Sequence, residues 1–373
     1  MTKYLPILSL FMVYLCLSSC KHDRLDTPTP ILASDTLWRT VAAVNYDKTI
    51  LNTAFSTDSS LYLVGNNYHL EVNKNEQLVS STLISKAGLG FSYSDDPYMN
   101  AKYTVYQTHG YYQNTELTIR ENARPNIKTT IDISQIDTNY MYINGRNFCA
   151  INDKNQLIVS IAYRKWQNPN RVSYDSYFLI FDLQTAQDSV AYRINKLIKV
   201  PDSRAFTDYQ PTRIYQIYPV EDNFYFSGIY ANLQFVNITS GSSSVLSPYL
   251  YGDFLTVKDT LHIIGYGKNI ALTMYSKPLK APNTDWLGYT LTDLSYNGYQ
   301  FRSIDDKFIF FWSYQLWELS LSADKKYFSI KELKNYGLNG VSIQDVCLFN
   351  NKVYLATSNG LFTKPLKTFF TYK

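Results

Sequence analysis

Several features that indicate common functions are missing from this chain of 373 residues. Its charges nearly balance, at 35 Lys and Arg against 31 Asp and Glu, and they are dispersed along the chain. No basic stripe therefore indicates nucleic-acid binding. After the first 20 residues, no apolar run is long enough to cross a bilayer as a helix, which takes about 20 residues. The rest of the chain is predicted to be soluble.

Catalytic and metal-binding signatures are missing as well. The sequence contains no Ser/His/Asp motif, no CxxC pair and no glycine-rich phosphate loop. Its four histidines, His22, His69, His109 and His262, do not have the close spacing of metal ligands. We therefore expect no metal and no cofactor.

The first residues, MTKYLPILSLFMVYLCLSSC, have the composition of a signal peptide, with Lys3 followed by an apolar run over 4–17. The stretch Leu17-Ser18-Ser19-Cys20 resembles the bacterial lipobox. That resemblance implies that 1–19 are removed as a lipoprotein signal peptide and that Cys20 then carries lipid. Several acyl chains, at about 0.8 kcal/mol per buried CH₂, make a stable membrane anchor. An ordinary secretory signal with an incidental cysteine is the alternative.

Residues 20–35 are polar, contain two prolines and are interpreted as a tether between the lipid and a domain over 36–373. The residue after Cys20 is Lys21. An aspartate at that position would indicate retention in the inner membrane, and it is absent. The composition, rich in tyrosine and asparagine, resembles that of Bacteroidetes proteins. We therefore expect an outer-membrane lipoprotein of the cell envelope that faces the periplasm or the cell surface.

The domain repeats one plan: a polar turn, a strand, a short turn, a second strand and a hairpin signal. The first strands of these units begin near residues 61, 103, 157, 224, 261, 308 and 353. Units of about 45 residues with four antiparallel strands have the period of propeller blades. We predict an all-β β-propeller of seven four-stranded blades, closed by a strand within 36–46. Six or eight blades also fit, and two stacked β-sandwich domains are the competing architecture.

Two segments resemble known propeller repeats. The stretch NNKVYLATSNGLF, 350–362, is similar to the repeat of two-component-regulator propellers, and YFLIFDLQTAQ, 177–187, looks like a strand end of many other propellers. The resemblance implies the fold and carries no catalytic residues. Cys149 and Cys347 fall in non-adjacent predicted blades, too far apart for a disulfide, so we expect two buried free thiols.

Ligand-binding candidates lie in the turn between the two strands of each unit, which in propellers normally faces the ligand. Six of these turns carry an aromatic residue, namely Tyr68, Tyr112, Trp166, Tyr230, Tyr266 and Tyr314. Lys268 lies near one of them, Tyr266. Such side chains, with an apolar face and a polar tip, suit sugars or peptides. Ordinary packing on the rim is the alternative. Insertions over 163–176 and 280–299 are predicted to lengthen loops of the same face.

Carboxylates supply an alternative, enzymatic interpretation. Asp95, Asp96, Asp202 and Asp208 lie in predicted inter-blade loops, where paired acids could perform acid–base chemistry. The glutamates of the second strands, Glu71, Glu116 and Glu318, are interpreted as structural, and Asp305-Asp306 as a turn.

Three short motifs resemble the Bacteroidetes O-glycosylation sequon, and their acceptors are Thr36, Ser189 and Thr260. The sequence as a whole predicts a binding or scaffolding module for a glycan, a peptide or an envelope protein. A carbohydrate-active lyase or hydrolase is the alternative, and a structural lipoprotein without a small ligand is a third interpretation.

Overall fold

The structure is a computed structural model, and it describes part of the chain. The described ranges are 36–44, 50–65, 68–83, 98–100, 102–107, 116–124, 126–136, 141–143, 149–168, 171–200, 213–229, 232–247, 251–266, 272–279, 286–291, 299–322, 328–338 and 340–373. The signal peptide, Cys20 and the tether lie outside these ranges. No described helix has the length and apolar character needed to cross a membrane.

The described residues form seven antiparallel sheets, which are the blades of a ring. Blade 1 consists of β2 (Leu51–Ser56), β3 (Ser60–Gly65), β4 (Tyr68–Asn73) and β5 (Leu78–Leu83). Blade 2 consists of β6 (Tyr98–Met99), β7 (Tyr103–Gln107), β8 (Glu116–Glu121) and β9 (Lys128–Asp132). Blade 3 consists of β10 (Met141–Ile143), β11 (Cys149–Ile151), β12 (Gln156–Asn168), β13 (Arg171–Thr185) and β14 (Val190–Lys199). In blade 3, β10 and β11 both pair with β12 and share the position of the first strand. A short helix, α1 (Ile133–Ile136), follows blade 2.

Blades 4 to 7 follow the same order. Blade 4 consists of β15 (Arg213–Val220), β16 (Asn223–Ile229), β17 (Asn232–Asn237) and β18 (Ser242–Ser247), and blade 5 of β19 (Tyr251–Val257), β20 (Thr260–Tyr266), β21 (Leu272–Pro278) and β22 (Leu287–Thr290). Blade 6 consists of β23 (Gln300–Ile304), β24 (Lys307–Trp312), β25 (Gln315–Leu321) and β26 (Phe328–Glu332). Blade 7 consists of β27 (Ile343–Phe349), β28 (Lys352–Thr357), β29 (Gly360–Pro365) and, as its fourth strand, β1 (Arg39–Thr40). Helix α2 (Leu366–Phe369) follows β29. The prediction of a seven-bladed β-propeller is confirmed.

The first strand of each blade contacts the first strand of a neighbouring blade, as β27 contacts both β2 and β23. First strands therefore line the inside of the ring. The strands that mark each repeat in the sequence, such as β3 and β24, are the second strands of their blades. Both faces of a second strand are covered by adjacent blades, so β3 is buried along its whole length. This explains why its sequence, SLYLVG, is mostly apolar.

Turn chemistry fixes the hairpin of the first and second strands. Asp305 and Asp306, between β23 and β24, have φ angles of 50° and 58°. Asn350 and Asn351, between β27 and β28, have φ angles of 48° and 57°. Two successive residues with positive φ make a type I′ turn, which matches the twist of the strands and favours Asn and Asp. The interpretation of Asp305-Asp306 as a turn agrees with this geometry.

Apolar clusters lie between neighbouring blades. One joins blades 2 and 3 through residues such as Ile119 and Val159, and another joins blades 6 and 7 through residues such as Phe311 and Leu355. Cys149 lies in the first of these clusters, while Cys347 lies in the one between blades 7 and 1. Both thiols are buried and free, as predicted, and burial raises the pKa of each.

The ring is closed by the segment before blade 1. Arg39 and Thr40 of β1 pair with Thr363 and Phe362 of β29, so the fourth strand of blade 7 comes from the other end of the domain. The predicted closing strand within 36–46 is therefore present, although its paired part covers two residues. Closure of this kind gives blade 7 four strands, the same number as in its neighbours.

The two predicted insertions contain strands in their described parts. Strands β12 and β13 pair from Gln156 with Asp182 to Asn168 with Arg171, so the segment 163–176 belongs to a lengthened hairpin. Of the segment 280–299, the structure describes 286–291 and 299, and this part contains β22, the fourth strand of blade 5. In these strands the polar residues suggested a loop, whereas hydrogen bonding to a neighbouring strand keeps the backbone extended.

Candidate functional site

One end of the ring carries the turns between second and third strands together with the linkers between blades. We call this end the linker face. Tyr68 begins β4, Trp166 lies near the end of β12, Tyr266 ends β20, and Tyr314 lies between β24 and β25. Their backbones are thus at this end, and of these four only the side chain of Tyr314 lies within the described part of the structure. Tyr112, Tyr230 and Lys268 lie outside the described residues.

The acidic candidates, Asp95, Asp96, Asp202 and Asp208, all lie outside the described ranges. Within those ranges, no group of three or more His, Cys, Asp and Glu side chains is arranged to hold a metal ion.

The glutamates of the third strands have structural partners. Glu71 accepts hydrogen bonds from the hydroxyls of Ser60 at 2.8 Å and Ser80 at 3.3 Å. Glu318 accepts one from the Tyr372 hydroxyl at 2.6 Å. Burial acts to raise the pKa of Glu318, but its hydrogen bonds outweigh burial and hold that pKa below the usual range. Both side chains are thus occupied within the fold.

The turn of blade 6 that contains Tyr314 is fixed on both sides. The Asn335 side-chain amide donates a hydrogen bond to the carbonyl of Tyr314 at 2.8 Å. The backbone N–H of Ile343, at the start of β27, donates to the carbonyl of Ser313 at 2.6 Å. The Tyr314 side chain is 52% exposed. The turn therefore presents an aromatic ring to solvent from a backbone that is held by blade 7 and by the linker before it.

A cleft of about 330 Å³ lies beside this turn, between blades 6 and 7. It is lined by residues of the turn, of β23 and β24, and of the start of β27: Gln300, Phe311, Trp312, Ser313, Ser342, Ile343 and Gln344. Small-ligand sites occupy about 300 to 1,000 Å³, so the cleft is at the lower end of that range. We call it the blade 6–7 cleft.

Trp312 ends β24 beside the cleft, and 46% of its surface is exposed. Its ring contacts the ring of Tyr299 edge to face, with centroids 6.3 Å apart. Tyr299 in turn packs against Phe310 and Trp317, at 5.4 Å and 5.8 Å. These rings belong to the cluster between blades 5 and 6, whereas Phe311 belongs to the cluster between blades 6 and 7. The indole therefore lies on the blade 5 side of β24, next to the cleft and not inside it.

Trp312, Gln300 and Gln344 are site residues that the sequence analysis missed. Trp312 is two residues from the predicted Tyr314, and its position at the end of the apolar run KFIFFW is the signal that indicates it. Gln300 and Gln344 belong to first strands. The repeat pattern of the sequence does not mark those strands, and so it does not indicate these two residues.

Comparisons with known proteins agree with the fold. No protein-family model matches the chain, and no curated protein matches it. The solved extracellular domain of a hybrid two-component system from B. thetaiotaomicron is similar with a TM-score of 0.51 and 10% identity, over 88% of this chain and 40% of that one. The WD40 domain of Pan2 from Neurospora crassa is similar with a TM-score of 0.49 and 9% identity, over 89% of this chain and 96% of that one. The chain thus spans about 40% of the length of the first structure, and that likeness supports the propeller fold alone.

Proposed function

We propose that this protein is an envelope lipoprotein whose propeller binds a glycan, a peptide or an envelope protein on the linker face without performing catalysis. The observation that carries the proposal is the linker face at blade 6, where the half-exposed Trp312 and Tyr314 lie next to the amide and hydroxyl groups of the blade 6–7 cleft. These groups stand on strands and on a hydrogen-bonded turn. Side chains held on such a scaffold lose little conformational freedom when a ligand binds.

Further residues of the linker face belong to the same proposal. The repeat pattern of the sequence predicts the following ligand-binding residues at this end of the ring: Tyr68, Tyr112, Trp166, Tyr230, Tyr266, Tyr314 and Lys268. Two of the proposed glycosylation acceptors are at turns of the opposite end. Ser189 lies between β13 and β14, and Thr260 begins β20. Sugars attached there would leave the linker face open, while Thr36 lies just before β1.

Binding at the linker face is tested with the full-length protein in detergent and a panel of oligosaccharides and peptides. We expect Trp312→Ala to weaken binding of the ligand that the panel identifies by about tenfold or more, because a central exposed indole is a typical hot spot. Tyr192→Ala is the matched control, since Tyr192 is 42% exposed on the outer strand β14. Unchanged affinity in Trp312→Ala, or a folded protein that binds nothing in the panel, would contradict the proposal.

Anchoring at the outer membrane is proposed from the lipobox-like sequence that ends at Cys20. We expect Cys20→Ala to move the protein from the membrane fraction to the soluble fraction, because the acyl chains can no longer be attached. Membrane fractionation with immunoblotting measures this change. Ser19→Ala, which keeps a small residue before the cysteine, should stay in the membrane. Membrane retention of the Cys20→Ala variant would refute lipidation at this residue.

A further inference from the structure

The outer strand of blade 3 is the longest outer strand that the structure describes. Strand β14 has ten residues, whereas the outer strands of the other blades have between two and six. It pairs with β13 along one edge, and no described strand pairs with its other edge. Such an edge offers a row of backbone N–H and C=O groups for pairing with another chain. We infer that β14 binds an extended, acidic segment of a partner protein, which adds to blade 3 as a further strand.

Apolar side chains stand along β14 and remain open to solvent. Tyr192, Ile194 and Leu197 are between 42% and 49% exposed. Their partners on β13 all belong to the cluster between blades 2 and 3, and they are Leu183, Phe181 and Leu179. Because residues paired across two strands point to the same face, the three exposed side chains share one face of β14. They form an apolar row beside the open edge, where the side chains of an added strand would cover them.

A β-bulge brings Leu197 into that row. The register of β14 against β13 shifts between Ile180 and Phe181, so Asn195 is the extra residue on β14. The Asn195 amide nitrogen donates to both carboxylate oxygens of Asp182, at 2.8 Å and 3.0 Å. In a regular strand Leu197 would point away from the face of Ile194, because their positions differ by an odd number. The bulge is thus held by a specific contact and aligns the apolar row.

The strand is also fixed before any partner arrives. Lys196 Nζ donates to the carbonyls of Ile238 and Thr239 in blade 4, at 2.6 Å and 2.7 Å. The ring of Tyr192 packs edge to face on that of Phe181, with centroids 5.8 Å apart. An edge that is already ordered loses little conformational freedom on binding, which favours the addition of a strand.

The charges of β14 indicate which strand would be added. Its sequence, VAYRINKLIK, contains three cations and no acid. Arg193 pairs with Asp182 at 2.9 Å and is still largely exposed, and Lys199 is exposed as well. A second copy of β14 would place cations against cations, which is destabilising, whereas acidic residues on an added strand would be attracted. Because lysines on an edge also discourage pairing with other strands, the surface fits an acidic segment with apolar residues at alternate positions.

The test uses the full-length protein in detergent and fluorescent peptides of ten residues, the length of β14. One peptide alternates valine with glutamate, a second alternates valine with lysine, and a third is the first peptide with its backbone nitrogens methylated. We expect only the first to bind in a fluorescence-anisotropy titration, because the second repels the cations and the third cannot donate backbone hydrogen bonds. Its affinity should fall by about threefold or more from low to high salt, since ion pairs are screened.

Substitutions on β14 locate the binding. The double variant Ile194→Thr/Leu197→Thr should weaken binding of the acidic peptide by about five- to twentyfold, because the apolar cross-strand contacts are lost. Val79→Thr is the matched control, on an exposed position of β5, the outer strand of blade 1, and should not change the affinity. Trp312→Ala should not change it either, because Trp312 lies on the linker face.

The outcomes separate this inference from the proposed function. Binding of the lysine peptide or of the methylated peptide with equal affinity, or no binding of any peptide, would overturn the inference. A dimer that analytical ultracentrifugation detects in the wild type and not in the double variant would assign the edge to a second copy of the chain and also overturn it. The linker face has its own test through Trp312, so failure at β14 leaves the proposed function in place.

Discussion

Replacing Asp345 by alanine is expected to lower the free energy of unfolding by about 3 to 4 kcal/mol, because it removes one partner of a buried ion pair. The Asp345 side chain is 2% exposed, and its carboxylate accepts a hydrogen bond from Arg302 Nε at 2.7 Å. The same carboxylate accepts from the backbone N–H of Ala54 at 3.1 Å and from that of Val346 at 2.8 Å. Arg302 retains 37% exposure and stays partly solvated, which places the effect at the lower end of the range for buried pairs.

Asp345 joins three blades through their first strands. Arg302 lies on β23 of blade 6, Asp345 on β27 of blade 7 and Ala54 on β2 of blade 1. Removing the carboxylate therefore leaves a buried N–H of the next blade unpaired, which costs about 1 to 3 kcal/mol by itself. The same device recurs in blade 4, where the Gln216 side-chain oxygen accepts from the backbone N–H of Phe254 in blade 5.

Urea unfolding followed by tryptophan fluorescence measures the effect. Asp222→Ala is the matched control, because Asp222 forms an exposed ion pair with Lys154 and such pairs contribute about 0 to 1 kcal/mol. For Asp345→Asn, the loss in the free energy of unfolding should fall between the losses of these two variants, since the amide oxygen still accepts a hydrogen bond but the side chain has no charge. A loss below about 1 kcal/mol for Asp345→Ala would show that this carboxylate does not hold the three blades together.

The sequence predicts the blade count because second strands have a pattern that a sequence displays. Strand β24 and strand β28 are continuous apolar runs between polar turns, since neighbouring blades cover both of their faces. First strands lack that pattern. Bulges interrupt β2, β15 and β27, and polar residues such as Asp345 point to partners in another blade. Only the assembled ring supplies those partners, so the first strands could not be recognised individually.

The sequence indicates the turn of blade 6 that borders the candidate site, but it does not indicate the residues that lie next to that turn in space. Tyr314 follows from the repeat, because each unit has a turn at that point. The cleft next to it combines that turn with the starts of β23 and β27, which are 12 or more residues away in the chain. Gln344 reaches the cleft through a β-bulge, a feature that depends on pairing with β28. Such convergence is a property of tertiary structure and has no local sequence signal.

The second large effect is expected at the ring closure, where Trp38→Ala should lower the free energy of unfolding by about 3 to 5 kcal/mol. Trp38 is 4% exposed and packs edge to face on Phe369 of α2, with ring centroids 6.0 Å apart. Its backbone N–H donates to the carbonyl of Tyr336 at 2.9 Å. Strand β1 pairs through only two residues, so the burial of this indole supplies much of the free energy that holds the closing segment on the blades.

Trp38→Phe tests how the loss depends on the size of the buried ring. The indole Nε1 of Trp38 is buried and has no hydrogen-bond partner in the described structure, so phenylalanine loses no hydrogen bond. We expect this variant to lose only about 1 to 2 kcal/mol, through the smaller ring. Hydrogen exchange should show the Trp38→Ala variant losing protection first in β29, the strand that pairs with β1. Equal losses in both variants, or uniform loss of protection around the ring, would contradict a closing role for this side chain.

The position of Trp38 also connects ring closure to the proposed anchor. The closing strand β1 lies just after the predicted tether over 20–35, so a pulling force on the proposed lipid at Cys20 would reach the propeller first at β1. Besides the pairing of Arg39 with Thr363, an ion pair of Arg39 with Glu76 of blade 1, at 3.2 Å, holds this strand. Glu76 also accepts from Lys352 Nζ at 2.7 Å, which links blade 1 to blade 7. Trp38→Ala should therefore release a protease-sensitive N-terminal segment from the folded blades.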